Sequence, residues 1–281
     1  MIVSARAKVA GVMGWPVGHS LSPRLHGYWL DHHGIDGAYV PLAVAPDGFA
    51  SAVAALASLG FAGANVTTPH KEAALRAVDR VDDAARRIGA VNTIVVGADG
   101  SLAGGNSDAF GFHENLRHGA PDWRAASGPA VVLGAGGAAR AVCAALVDAG
   151  VPEVRLVNRT VARAETVAAD IGGAISVLAW DDRSQALADC ALLVNTTSLG
   201  MDSKAPLDLD LQTLPPSAVV SDIVYVPLQT PLLTAAQARG NAVVDGLGML
   251  LHQARPGFEA WFGVAPEVTA EMRAFVLAGL A

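Results

Sequence analysis

A short apolar run, a glycine-rich turn and an alanine-rich stretch follow one another from residue 129, and a second apolar run closes the segment by residue 160. That succession commits this part of the chain to a strand–helix–strand unit. Val131-Val132-Leu133 has the length and β-branched character of a buried parallel strand. Gly134-Ala135-Gly136-Gly137-Ala138-Ala139 follows as G-x-G-x-x-A, and 140–149 reads as the helix it opens. Each small residue meets a physical demand. Gly134 permits a tight turn, Gly136 lets backbone N–H groups approach a pyrophosphate, and Ala139 allows close helix–strand packing. The phosphates would sit at the helix N-terminus, where free N–H groups and the dipole favour negative charge. The second strand, 153–157, ends in Asn158-Arg159-Thr160, with Arg163 just beyond. A site for NAD usually places a carboxylate there for the ribose 2′-hydroxyl, whereas a cation suits the 2′-phosphate of NADP. A solitary arginine would read as a solvated surface charge. At this strand end, with no acid beside it, Arg159 predicts NADP.

A chain of 281 residues accommodates about two domains, each able to bury its own core. Apolar residues make up 52%, yet no run approaches the roughly 20 uninterrupted apolar residues of a spanning helix. Alanine and valine account for much of that content, as a buried parallel sheet covered by helices requires. No basic region followed by an apolar core opens the chain, so no signal peptide is expected. Two cysteines, Cys143 and Cys190, form no metal spacing and suit a reduced, cytoplasmic setting. Eight histidines include His32-His33 but no H-E-x-x-H arrangement, and no metal is expected. A net charge of −7 argues against nucleic acid, and an anionic ligand would need local cations to draw it in.

Strand-like and helix-like patterns alternate from the start. Strands are expected at 8–13, 39–44, 63–66 and 92–96, and helices at 22–33, 48–59 and from 71 to 77. Gly104-Gly105 reads as a glycine-rich turn and a plausible hinge. A helix is expected at 108–118, then a link at 120–128 into the dinucleotide unit. Further strands follow at 175–178, 192–195, 219–222 and 242–245, with closing helices at 246–262 and 268–280. Such alternation predicts an α/β fold with mainly parallel sheets. Two lobes are expected: residues 1–107 as an N-terminal α/β substrate domain, and 108–245 as a Rossmann-type NADP-binding domain. The C-terminal helices of 246–281 would return to the first lobe.

Four polar islands interrupt the apolar surroundings. Gly18-His19-Ser20-Leu21-Ser22-Pro23 reads as Ser22 capping a helix with Pro23 at its first position. Ser20 and the helix N-terminus would remain available to a carboxylate. Asn65-Val66-Thr67-Thr68-Pro69-His70-Lys71 lies at the end of a short buried strand, the end that faces the ligand crevice in open α/β sheets. Asn92-Thr93 opens another strand, and Gly105-Asn106-Ser107-Asp108 enters a helix. Hydride transfer to a ketone requires a proton donor for the developing alkoxide, a task Lys71 and Asp108 could divide. Taken singly, each reads as a solvated charge or a helix cap.

These segments together resemble the shikimate dehydrogenase family over nearly the full chain. The motifs that carry the resemblance are G-x-P-x-x-H-S-x-S-P (14–23), N-V-T-x-P-x-K (65–71), G-A-x-N-T (89–93), G-A-G-G-A (134–138) and N-R-T-x-x-R (158–163). N-T-T-S-x-G-M (195–201), D-x-V-Y-x-P (222–227) and D-G-x-x-M-L-x-x-Q (245–253) complete the series. The resemblance implies reversible, NADP(H)-dependent reduction of 3-dehydroshikimate to shikimate, within chorismate and aromatic amino acid biosynthesis. It implies that Ser20, Ser22 and Tyr225 hold a carboxylate, with Thr67 beside it and Asn65 lining the same site. Asn92, Asp108 and Gln253 would bind ring hydroxyls, with Lys71 as the acid/base and Asp108 as its partner. Gly134, Ala135, Gly136, Gly137 and Ala138 would cradle the pyrophosphate. Asn158, Arg159, Thr160 and Arg163 would grip the 2′-phosphate, while Ile223 and Gly246 line the nicotinamide end. The expected partner is this small molecule, with neither nucleic acid nor membrane, on a monomer or homodimer. A quinate/shikimate dehydrogenase of broader scope, or a non-catalytic NADPH-binding relative, remain the alternatives. One departure stands out: the family usually shows Asn-Thr-Asp where this chain has Asn106-Ser107-Asp108. Serine keeps the hydroxyl and loses a methyl group worth about 0.8 kcal/mol when buried. Tuned affinity is the expected result, with activity retained.

Overall fold

The computed structural model describes residues 2–202 and 204–279. Backbone packing separates two compact units, one made of residues up to 107 and from 251 onward, the other of 108–250.

The first unit begins with β1 (Lys8–Gly14), α1 (Ser22–His32), β2 (Gly37–Ala43), α2 (Phe49–Ala55) and β3 (Phe61–Val66). It continues through α3 (Lys71–Ala77), β4 (Arg80–Val81), α4 (Asp83–Ile88), β5 (Thr93–Val96) and β6 (Leu102–Gly105). The strands form one sheet in the order β2-β1-β3-β5-β6-β4. β1 runs parallel to both β2 and β3, whereas β5 runs antiparallel to both β3 and β6. Alternation along β3 divides the work of its residues. Ala64 and Val66 enter an apolar core with Met13, Phe49, Val53, Leu56 and Ala74, and Asn65 points to the opposite face.

Two sequence expectations change here. Gly104-Gly105 is no turn: it ends strand β6, paired with β5 on one side and β4 on the other. Side chains from other segments fill the space a Cβ would need. At Gly104 it would meet Val78 and Val91 methyls at 2.9 Å, and at Gly105 the Asp82 carboxylate at 2.6 Å. Ser22 is not a cap either. It is the first residue of α1, Leu21 holds the cap position, and no side chain caps that end. Helix α4 carries a signal that the motif reading passed over, since Asp82 accepts from Ala85 N at 2.6 Å as an N-cap.

The second unit opens with α5 (Asp108–Gly119), β7 (Ala130–Leu133), α6 (Gly137–Asp148), β8 (Val154–Asn158), α7 (Val161–Ile171) and β9 (Ile175–Ala179). It goes on through β10 (Leu192–Asn195), β11 (Val219–Asp222), α8 (Pro231–Ala238) and β12 (Ala242–Val244). All pairings are parallel, and from one edge the order is β9-β8-β7-β10-β11-β12. This is the doubly wound Rossmann order, whose strand sequence reverses between β7 and β10. β10 is buried along its whole length, as a central parallel strand covered on both faces must be. Leu133, Leu193, Val220 and Leu232 share one core, each worth about 1.5–3 kcal/mol when removed from water.

α9 (Leu247–Phe262) and α10 (Ala270–Leu277) close the chain. In the first unit, Phe258 and Trp261 of α9 pack with Trp29 of α1 and Tyr39 of β2. α10 starts two positions later than the spacing suggests because Thr269 caps it, accepting from Met272 N at 3.2 Å. Leu280, the expected end of that helix, lies outside the described residues. Among the described residues, no helix is long and apolar enough to cross a membrane.

Candidate active site

The first unit gathers most of the polar islands at the ends of β1, β3 and β5. Thr67 follows β3 directly and donates its main-chain N–H to Met13 O at 2.9 Å. Its methyl group lies against Gly14, where a Cβ would come within 2.6 Å. Lys71 is the first residue of α3, and its carbonyl accepts from Val91 N at 2.9 Å, which sets it beside the Asn92 segment. Ahead of it, buried His70 bonds through Nε2 to Val44 O at 2.7 Å and stacks on Phe49. That anchoring fixes where the α3 N-terminus begins. Ser20 and Ser22 meet directly, the Ser20 hydroxyl accepting from Ser22 N at 3.3 Å.

Asn65, Asn92 and Gln253 converge in one buried network. Asn65 Oδ1 accepts from the Tyr39 hydroxyl at 2.6 Å, and Asn65 Nδ2 donates to Asn92 O at 3.1 Å and Thr93 Oγ1 at 3.3 Å. Asn92 Nδ2 donates to Ser107 Oγ at 3.1 Å and Gln253 Oε1 at 3.4 Å. Gln253 belongs to α9, so the C-terminal helix supplies one of the polar groups of the first unit's network. The Ser107 hydroxyl lies within hydrogen-bond distance of both Asn92 and Thr93. The bonding capacity of the usual threonine is therefore kept. Tyr39 and Thr93 carry this network, yet neither was singled out from sequence for a role. A tyrosine inside an apolar strand reads as core, and only the cross-strand partners reveal its hydroxyl as a donor.

In the second unit, the glycine turn joins β7 to α6. Gly134 has φ +106°, a conformation that side chains rarely adopt, and a Cβ there would also meet Thr196 Oγ1 at 2.9 Å. Gly136 behaves differently: its φ is ordinary, and a Cβ would meet nothing within 4 Å. Nothing inside the protein requires a glycine there, which fits a position whose open face is reserved for a ligand. α6 starts at Gly137 with Gly136 as its cap and no side chain occupying its N–H groups. Those donors suit a pyrophosphate. Ala135 and Ala138 flank them, and fully buried Ala139 brings the helix close to the sheet.

At the end of β8, Asn158 Nδ2 donates to Thr160 O at 2.9 Å, folding the strand end into the start of α7. Arg159 and Arg163 are both exposed, and neither guanidinium has a hydrogen-bond or ion-pair partner among the described residues. By contrast, Arg140 pairs with Asp170, and Arg155 with Asp189 and Glu153. An acid-free strand end with two uncommitted cations suits a phosphate. Ile223 and Gly246 are in contact: a Cβ at Gly246 would lie 2.3 Å from Ile223 O. Tyr225 and Asp108 also belong to this unit. Burial pushes the Tyr225 hydroxyl pKa up, and buried Asp108 opens α5.

A perturbed carboxylate lies at Asp222, the last residue of β11. Its carboxylate is buried and accepts from Asn195 Nδ2 at 2.9 Å, Val224 N at 3.0 Å and Thr230 Oγ1 at 2.8 Å. Burial outweighs these donors and pushes its pKa up to about 6. Asn195 and Asp222 both sit in motifs quoted above, but sequence assigned a role to neither.

Family models match at residues 12–94 (shikimate dehydrogenase substrate binding domain), 122–201 (shikimate/quinate 5-dehydrogenase) and 246–275 (shikimate 5′-dehydrogenase C-terminal domain). The shikimate dehydrogenase (NADP(+)) of Paramagnetospirillum magneticum is 64% identical over 275 residues, covering 98% of this chain and all of that protein. Among solved structures, shikimate 5-dehydrogenase from Thermus thermophilus in complex with NADP(H) and shikimate superposes with a TM-score of 0.86 at 37% identity. It covers 96% of this chain and 99% of its own. A quinate dehydrogenase from Corynebacterium glutamicum in complex with NAD gives 0.90 at 30% identity, over 97% and 99%. With three such models in order along the chain and 64% identity to a shikimate dehydrogenase (NADP(+)) over 98% of it, the chain belongs to the shikimate dehydrogenase family.

Proposed function

We propose that this protein catalyses the reversible, NADPH-dependent reduction of 3-dehydroshikimate to shikimate. The observation that carries the reading is the 64% identity, end to end, with a shikimate dehydrogenase (NADP(+)). The exposed, uncommitted Arg159 and Arg163 support the cofactor preference.

The first unit acts as the substrate domain and the second as the nucleotide domain. The α6 N-terminus and the glycines before it hold the pyrophosphate; Asn158, Arg159, Thr160 and Arg163 hold the 2′-phosphate; Ile223 and Gly246 line the nicotinamide end. When bound, NADPH supplies the hydride. Ser20, Ser22 and Tyr225 hold the substrate carboxylate, with Thr67 beside it. Asn92 and Gln253 hold ring hydroxyls, Asn65 supporting them, and Asp108 accepts from one of those hydroxyls. Lys71 gives its ammonium proton to the oxygen on which negative charge develops, and takes a proton back in the reverse direction. None of these groups acts as a nucleophile, which suits a reaction with no covalent intermediate. The enzyme works in the cytoplasm as a monomer or homodimer. Two buried free cysteines, both with thiol pKa values pushed up to about 12, fit a reducing compartment.

Likeness to a quinate dehydrogenase makes broader scope the second reading. Initial rates at the nicotinamide absorbance band, with shikimate or quinate and NADP⁺ or NAD⁺, separate the two. Shikimate with NADP⁺ should give the highest kcat/KM. Faster turnover of quinate, or a preference for NAD⁺, would replace the reading.

A further inference from the structure

We propose that Tyr39 and Thr93 are positioning residues that fix, through a one-way chain of hydrogen bonds, which edge of the Asn92 amide meets the substrate. The inference rests on the reading above of Asn92 as a group that holds a ring hydroxyl.

Main-chain groups, whose roles cannot invert, identify which atom of each amide in the chain is the nitrogen and which the oxygen. Asn65 Nδ2 lies 3.1 Å from Asn92 O, a carbonyl that only accepts. Asn65 therefore turns its oxygen towards Tyr39, and the phenol must donate, at 2.6 Å. The Asn65 nitrogen also donates to Thr93 Oγ1 at 3.3 Å, leaving the threonine proton for Asn92 Oδ1 at 2.9 Å. At the far end Ser107 N, which only donates, lies 2.9 Å from the same Asn92 oxygen. With Thr93, Ser107 N and the Ser107 hydroxyl all aimed at it, Asn92 Oδ1 is saturated. Asn92 Nδ2 is left as the edge facing Gln253. A hydroxyl docking at Asn92 takes the place of Gln253 Oε1 on the longer of the two Nδ2 bonds, and there it meets a donor and must accept.

Strand register builds the chain. Asn65 and Thr93 are direct partners in the antiparallel pairing of β3 and β5, so their side chains share one face of the sheet. Tyr39, Asn65, Asn92, Thr93 and Ser107 are all less than 9% exposed. Water cannot stand in for a lost member, and an acceptor left unpaired there keeps its full desolvation penalty. The phenol is in turn held flat. Fully buried His26 stacks on it with ring centroids 3.8 Å apart and planes 4° from parallel. Among the described residues neither His26 nitrogen has a partner at hydrogen-bond geometry, although the ring lies beside Asn65, and burial keeps it neutral, so its main contribution is the stacked face. The Ser22 side chain interacts with the same phenol, tying the chain to the residues proposed to hold the carboxylate.

The test compares Tyr39→Phe, Thr93→Val and Thr93→Ser with the parent enzyme, using shikimate and analogues lacking one ring hydroxyl. Tyr39→Phe and Thr93→Val should raise KM for shikimate about tenfold, as loss of one buried hydrogen bond implies. Both should leave kcat and the KM for NADP⁺ within about twofold, and Thr93→Ser should behave like the parent. Discrimination against the deoxy analogue whose missing hydroxyl meets Asn92 should shrink, since a loosened amide can offer either edge. Equal discrimination in parent and variants, or parallel changes in both KM values, would assign these residues to general packing and overturn the proposal. If Tyr39→Phe fails to fold, the Thr93→Val and Thr93→Ser pair decides alone. The side-chain amide NMR signal of Asn92 gives a readout free of substrate: it should move in Thr93→Val and hold in Thr93→Ser. A parent enzyme inactive on shikimate would remove the functional reading, while the amide signal would still judge the chain of bonds.

Discussion

Asn195 donates through Nδ2 to the Asp222 carboxylate at 2.9 Å, joining the C-terminal ends of two neighbouring parallel strands. The same carboxylate accepts from Val224 N and from Thr230, whose hydroxyl also accepts from Leu233 N as the N-cap of α8. One buried side chain thus ties together the 195–200 loop, the turn carrying Ile223 and Tyr225, and a helix start.

Among the described residues no charged group compensates Asp222, and burial raises its pKa from 3.8 to about 6. A raised carboxyl pKa means the folded state holds the proton more tightly than the unfolded chain. Its contribution to stability is therefore full below about pH 4 and is lost as pH rises through about 6. A shift of this size corresponds to about 3 kcal/mol. Urea unfolding of the parent and of Asp222→Asn, followed from pH 4 to 7, should show the parent losing this advantage relative to the variant. Parallel pH profiles would refute it.

Gly134 and Gly136 should respond in opposite ways to alanine. Gly134→Ala forces a side chain onto a positive φ and against Thr196, and should cost at least about 1 kcal/mol of stability. Gly136→Ala meets open space and should leave stability unchanged or slightly higher. Its effect should appear in a weakened affinity for NADPH. Melting temperatures and NADPH titration of both variants check the contrast, and an unaltered NADPH affinity in Gly136→Ala would contradict it.

Arg159→Ala should raise KM for NADPH by about 10-fold or more, from loss of a charge-assisted bond worth about 1.5–3 kcal/mol. NADH lacks the 2′-phosphate, so its KM should barely move. Steady-state kinetics with both cofactors gives the answer, and equal losses for the two would show that Arg159 does not read the phosphate.

Lys71→Ala should lower kcat by about 10²–10⁴ through loss of a positioned proton donor. The dissociation constant for shikimate, measured by calorimetry, should change far less. A kcat within a few-fold of the parent would exclude Lys71 as the acid.

The nucleotide unit was legible in the sequence because its constraints are local. A run of Val and Leu, a glycine turn and an acid-free strand end occupy 129–160, and each demand falls on residues a few positions apart. The polar islands were legible as well, since Asn65, Thr67, Lys71 and Asn92 stand out against apolar neighbours. Their bonding was not. Two glycines at 104–105 read as a turn because glycine lacks a side chain, and only Val78, Val91 and Asp82, brought in from other segments, show why none fits. Ser22 read as a cap from its place before Pro23, whereas α1 starts one residue earlier than that reading required. Sequence by itself determined which chemical groups the chain carries and the periodicities that make its strands and helices. Tertiary structure alone decided which edge of each amide faces inward and that Asp222 is sealed from water. Both depend on what packs from distant segments: hydrogen-bond direction is set across strands, and desolvation by whatever covers a group.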